Sequence, residues 1–166
     1  MWELLHQYSG YFIKILAAVI CGGMIGLERE LKGKSAGLRT NILICMGATI
    51  YMMVSDLVPR MYGLPADPGR IAAQVVSGIG FIGAGSIIRS GATVAGLTTA
   101  ALIWIVAALG LVIGIGYPLL AIIFSLIVLL ILIGLGKIER IFNLGDHIHN
   151  QDSQDADKPY SNSGLL

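Results

Sequence analysis

Gly78, Gly80 and Gly83 reproduce the G-x-G-x-x-G spacing that lets a backbone approach a dinucleotide pyrophosphate. That chemistry also needs a strand before the motif, a helix after it, and an acidic residue about 20 positions on for the ribose. No acidic residue lies between Pro68 and Lys137, so the nucleotide reading fails. Gly33-Lys34-Ser35 ends like a phosphate-cradling P-loop, but the first glycine of that motif falls on Glu28. His147 and His149 offer two imidazoles to a metal, yet they sit in a polar terminal segment without a nearby Cys. With His6 they are the three histidines, all near the ends of the chain. No nucleophile and base pair up within the apolar body, so no catalytic residue is assigned and the chain reads as a non-enzyme without a cofactor. Cys21 and Cys45 read as small core hydrophobes rather than a disulfide or a metal pair.

What remains is a set of polar residues near the ends of apolar runs. Glu28, Arg29, Arg39, Thr40 and Asn41 flank the first two runs, with Arg89, Thr98 and Thr99 near the same side. On the opposite side lie Asp56, Asp67 and Arg70, with Gln74 and Ser77 about one turn deeper. Arg70 and Gln74 stand at i, i+4 and share a helix face. Polar groups at membrane depth are costly unless they pair or line a cavity. The set therefore reads in one of two ways. It is a polar pathway, with Glu28 and Asp67 as the cation-attracting carboxylates, or it is interfacial anchoring locked by ion pairs such as Glu28–Arg39. Residue chemistry leaves both open, and no firm metal site emerges.

The elements that must position these residues are membrane helices. The 166 residues are 55% hydrophobic and 13% charged, against about 25% charged in soluble domains. A net charge of +1 gives no field to recruit nucleic acid. Charged residues divide the chain into spans near Tyr11–Leu27, Thr40–Ser55 and Ile71–Ile88, with loops at 28–34 and 56–69. The uncharged run from Ser90 to Gly136 is long enough for two more, near Leu97–Ile115 and Pro118–Leu135, turning at Gly114–Pro118. The expected fold is an all-α bundle of about five transmembrane helices over residues 1–137. Residues 138–166 form a polar tail with nothing to bury, expected to be disordered. Small residues let membrane helices approach closely. Gly22 and Gly26 form one such G-x-x-x-G pair, and Gly78, Gly80, Gly83 and Gly85 make the third helix the expected centre of packing. Asp67-Pro68 reads as that helix's start, Asp as N-cap and Pro at the first helical position.

Four stretches in order resemble the MgtC/SapB family of bacterial inner-membrane proteins. They are GGMIGLERE (Gly22–Glu30), AGLRTN (Ala36–Asn41), DPGRIAAQVVSGIGFIGAGSIIR (Asp67–Arg89) and GLTTAALIWIVAALGLVIGIGY (Gly96–Tyr117). The resemblance covers roughly residues 10 to 137. It implies five transmembrane helices, multi-pass insertion in the inner membrane, and a role in growth under magnesium limitation. In pathogens it implies survival inside macrophages. It further implies regulation of membrane energetics, with the F-type ATP synthase as a membrane partner, or else cation or proton transport by a small oligomer, expected to be a dimer. Longer members carry a soluble C-terminal domain resembling ACT domains. This chain reads as a short form without it.

Basic residues orient the bundle. With the N-terminus outside, the inner segments hold Arg29, Lys32, Lys34, Arg39, Arg89, Lys137, Arg140 and Lys158, and the outer ones only Lys14, Arg60 and Arg70. A fluorescent reporter fused to the C-terminus is expected to fold and fluoresce in the cytoplasm. An alkaline phosphatase fused there is expected to be inactive, and an active one reverses the topology.

Overall fold

The computed structural model describes residues 2–63 and 67–141. Five helices follow one another: α1 (Trp2–Leu31), α2 (Leu38–Tyr62), α3 (Pro68–Gly85), α4 (Leu97–Gly114) and α5 (Pro118–Ile141). Between α3 and α4 lies a small antiparallel hairpin of β1 (Ile88–Ser90) and β2 (Thr93–Ala95). Four helices, α1, α2, α4 and α5, are long and apolar enough to cross a membrane. The chain is a multi-pass, all-α membrane protein, as its composition led one to expect.

α3 is the exception among the five. Its 18 residues reach about 27 Å, close to the bilayer's hydrocarbon thickness, but Arg70, Gln74 and the glycines lower its apolar content. Geometry still makes it run the length of the bundle. α4 starts at the end where α2 starts, so α3 carries the chain back from the far end of α2. It does so packed on α2 and α4.

The centre belongs to α2 and α4, not to α3. Leu102, Ile103, Val106, Ala107, Leu109 and Ile113 of α4 are buried. They meet Cys45, Ala48, Thr49 and Met52 of α2, with Ala17, Ala18, Cys21 and Ile25 of α1 completing the core. Most of these side chains are small, and that brings the backbones together. A Cβ on Gly22 would stand 2.8 Å from the Cα of Ile42, and one on Gly26 2.8 Å from the Cα of Leu38. Gly110 and Gly114 of α4 approach α2 equally closely, against Cys45, Ala48, Thr49 and Met52. The expected central glycine helix is corrected here. Gly78, Gly80 and Gly85 of α3 face open space, Gly83 makes an ordinary contact with Ala100, and Phe81 is 83% exposed. A dense set of small residues permits close approach but does not supply the neighbour.

Several boundaries move for local reasons. α2 runs on to Tyr62 through Pro59, where a loop was expected. Arg60 and Asp56 bridge at 2.9 Å one turn apart, and Gly63 (φ 63°) closes the helix by donating its N–H to Pro59 O. The hairpin is new. β-Branched residues flank the two-residue loop Gly91-Ala92, and Gly91 (φ 58°) supplies the positive φ that such loops need. Pro68 does open α3, but Asp67 makes no side-chain capping bond. In α5, Ala121 and Ser125 are buried, and Ser125 Oγ donates to Ile122 O. The polar tail beyond Ile141 lies outside the described residues.

The glycine contacts set a clear ranking. Gly22→Val and Gly26→Leu drive new atoms into the α2 backbone and are expected to lower stability by about 1–3 kcal/mol. Gly78→Ala meets nothing within 4 Å and is expected to leave stability unchanged or raise it by up to about 1 kcal/mol. Unfolding of the purified protein in detergent measures all three.

Candidate functional site

The polar residues converge where α1 ends and α2 and α4 begin. The chain turns there through residues 32–37. Gly33 N–H donates to Glu30 O and Lys34 N–H to Arg29 O, which ends α1. α2 then opens at Gly37, which has no side-chain cap of its own. The carboxylate of Glu30 fills that role from the preceding helix, accepting the Leu38 N–H at 2.8 Å. Gly37 must be small for this, because a Cβ there would lie 2.8 Å from Glu30 Oε2. Asn41 folds back over the turn, its amide donating to Gly37 O at 2.9 Å and to Ala36 O. That tie holds Ala36 in the left-handed region (φ 56°).

α4 joins through Thr99. Arg29 Nη2 donates to Thr99 Oγ1 at 3.3 Å, and Ser35 Oγ lies 3.1 Å from the same oxygen. Glu28, Arg29, Asn41 and Thr99 are all buried. Several of their atoms are also unspent. Glu28 Oε1 and Oε2, Arg29 Nε and Asn41 Oδ1 are buried without a hydrogen-bond partner. Glu28 Oε1 does lie 2.5 Å from Lys32 Nζ, so the carboxylate has a counter-charge though no well-directed donor. Buried polar atoms left unmatched are costly, and they mark places where a ligand or partner group can be accommodated.

The predicted polar set therefore splits. Glu28, Arg29, Asn41 and Thr99 come together. Arg39, Thr40 and Thr98 sit near the same end but are exposed. The expected Glu28–Arg39 pair is replaced by Glu28–Lys32, because Lys32 stands one turn along the same helix. Asp67, Arg70, Gln74 and Ser77 are exposed on α3. Glu28 and Asp67 thus stand at opposite ends of the bundle and share no site. Among the described residues, no three Cys, His, Asp or Glu side chains group to hold a metal ion. The His147–His149 pair lies outside the described residues. Sequence reasoning missed Glu30, Lys32 and Ser35. Glu30 precedes a glycine-started helix by a short turn, and that spacing was the available signal.

A second feature lies along α3. Between α2, α3 and α4 runs a groove of about 850 Å³. Leu43, Ile44, Gly47 and Tyr51 form one wall, and Ile71, Val75, Gly78, Ile79 and Ile82 the other. Its polar lining is sparse, chiefly Gln74 with Thr40 and Tyr51.

A model of the MgtC family matches residues 15–141, which takes in the second half of α1 and all of α2 to α5. The chain belongs to the MgtC family. It is 48% identical over 126 residues to a protein of Escherichia coli K12 named "Putative magnesium transporter YhiD", covering 74% of this chain and 59% of the relative. It is 48% identical over 106 residues to the MgtC protein of Salmonella typhimurium LT2, covering 64% of this chain and 44% of the relative. The MgtC protein of Brucella abortus is 46% identical over 102 residues, covering 61% of this chain and 41% of the relative. The chain thus spans about half the length of the curated relatives it matches. No solved structure matches it.

Asn41 is the family-domain residue whose removal tests this junction most directly. Asn41→Ala leaves Ala36 O without its donor, while Gly37 O keeps the backbone N–H of residue 41, and it is expected to cost about 1–3 kcal/mol. Thermal unfolding in detergent checks the loss. Arg39→Ala, at an exposed position of the same turn, is expected to stay within about 0.5 kcal/mol of the parent.

Proposed function

We propose that this protein is a non-enzymatic regulator of membrane energetics in the bacterial inner membrane, serving growth at low magnesium. It acts by helix-to-helix contact with another membrane protein, the F-type ATP synthase being the partner that the family resemblance favours, and it self-associates as a dimer. The link to magnesium rests on the name of the Escherichia coli relative.

The observation that carries this reading is the unpartnered face of α3. In lipid, helices associate through close van der Waals packing on small residues. Gly78 and Gly80 offer such a surface with nothing against it, beside an apolar groove of about 850 Å³. A partner helix laid there gains contacts that lipid tails cannot match.

A second reading, cation transport, has one observation in its favour: Glu28 is a buried carboxylate without a hydrogen-bond donor. The core beyond it is largely apolar, with Thr49, Ser55 and Ser125 its buried polar residues away from this end. Ile25, Val106 and Ile113 are fully enclosed there, which does not favour a polar path through a single chain.

The test uses Gly78→Leu and Gly80→Leu, at positions where an added Cβ meets nothing within 4 Å, and both variants are expected to fold. A photo-crosslinking residue at Phe81 is expected to trap an ATP synthase subunit or a second copy in the parent, and to lose that product in both variants. Cellular ATP at low magnesium is expected to shift in parallel. Unchanged crosslinks and ATP levels refute the contact mechanism. Magnesium flux into liposomes that falls with Glu28→Gln favours transport instead.

A further inference from the structure

We propose that the first turn of α4 is an anion site for a phosphate-type group, held jointly by the helix N-terminus and Arg29. α4 begins at Gly96, which adopts a left-handed backbone (φ 90°) and brings no side-chain cap. Its carbonyl accepts the N–H of Ala100. The N–H groups of Leu97, Thr98 and Thr99 therefore have no partner inside the helix. Together with the aligned peptide dipoles, they give this end about half a positive charge.

α2 begins in the same manner, at a glycine without a side-chain cap, and the comparison is instructive. There the Glu30 carboxylate sits on the helix N-terminus, as electrostatics favours. At α4 the arriving group is a cation. Arg29 is only 7% exposed and reaches into the first turn, with Nη2 3.3 Å from Thr99 Oγ1. Its Nε is buried and has no hydrogen-bond partner. A buried guanidinium against the positive end of a helix is unfavourable unless an anion joins them.

Among the described residues, neither Glu28 nor Glu30 forms a hydrogen bond to the first turn of α4. Glu28 pairs with Lys32 at 2.5 Å, and Glu30 caps α2. The donors at hand are the Arg29 guanidinium, whose Nη2 already donates to Thr99 while its Nε is unpartnered, one O–H of the Thr99–Ser35 pair, whose oxygens lie 3.1 Å apart, and the N–H groups of the first turn that have no partner inside the helix. This is the donor set that recognises a tetrahedral oxyanion. Thr98, Ser35 and Lys34 are exposed, so the approach is open from the loop side. A free phosphate and the headgroup phosphate of an anionic lipid present the same chemistry. The site uses neither α3 nor the groove beside it, so it stands independently of the partner contact.

The full chain is purified in phosphate-free maltoside detergent and titrated with inorganic phosphate against chloride at matched ionic strength, read by phosphorus NMR. In a second arm it is placed in phosphatidylcholine nanodiscs containing phosphatidylglycerol, and native mass spectrometry counts the retained anionic lipid. Saturable binding is expected in at least one arm. It is expected to weaken at least tenfold in Arg29→Gln and several-fold in Thr99→Val, with Arg89→Gln, an exposed hairpin arginine, as the control that keeps it. Binding in the phosphate arm assigns a free anion, and binding confined to the lipid arm assigns a headgroup. If Arg29→Gln fails to fold, Thr99→Val, which keeps the side-chain size, decides. No saturable binding in either arm overturns the proposal, as does a loss in Arg89→Gln equal to that in Thr99→Val.

Discussion

Everything in this bundle depends on how closely α1 and α4 can lie against α2. In a bilayer the surrounding lipid is as apolar as a leucine, so burying apolar surface does not draw helices together. Contact area and hydrogen bonds must do so instead. Gly22 and Gly26 let α1 rest on the α2 backbone, and Gly110 and Gly114 do the same for α4 on the other side. That proximity is what allows polar ties to cross between helices. Thr49 Oγ1 lies 2.9 Å from Cys45 O on its own helix and 3.0 Å from Gly110 O on α4. Lys14 Nζ donates to Gly114 O at 2.7 Å, meeting the negative end of α4 with a cation. The Arg29–Thr99 bond ties the other end. A larger residue at any of the four glycines would separate the backbones and stretch these bonds with them.

Much of this was legible in the residues. Apolar runs of bilayer length, bounded by charges, located α1, α2, α4 and α5, and Gly114–Pro118 marked the last turn. Glu28, Arg29, Asn41 and Thr99 stood out as polar groups at helix ends. Other features were not legible, for physical reasons. Gly110 and Gly114 have the same G-x-x-x-G spacing as Gly22 and Gly26. Within a long uncharged run they were overshadowed by the richer glycine set of α3. Spacing says which face is smooth, not which helix will lie on it. The hairpin hid at a span boundary, where β-branched residues around Gly91 read equally well as the ends of two helices. The partner of Glu28 turned on helix phase: Lys32 is on the same face one turn on, while Arg39 belongs to another helix.

The two glycine-started helices show how one structural problem receives two answers. Both α2 and α4 open at a glycine: Gly96 because the backbone there is left-handed, and Gly37 because the Glu30 carboxylate lies against it. The Cβ of any other residue at position 96 would run into Ser86. A glycine start forfeits the Ser, Thr, Asp or Asn side chain that ordinarily caps a helix. α2 recovers the missing acceptor from Glu30, which locks α1 and α2 into a rigid pair. α4 recovers none from the acids nearby and meets Arg29 instead. The junction is thus well anchored on one side and electrostatically incomplete on the other.

The distribution of polarity then limits how this chain can work. In the unit of residues 1–129 the buried charged residues Glu28 and Arg29 lie at one end, and Ile25, Val106 and Ile113 are fully buried in the core. Close packing of such side chains does not favour a hydrated route through the middle. A function that spans the membrane is then better served by an outer face. Among the described residues, α3 offers one with open glycines. It carries Gln74 toward the groove and has glycines without neighbours. A second wall placed against α3 would bury Gln74 between protein surfaces. In that setting an amide has partners to find, and lipid offers none. Partner contact and any polar route across the membrane thus converge on the same helix face. The Arg29–Thr99 junction sits apart from it, at the end where α4 begins.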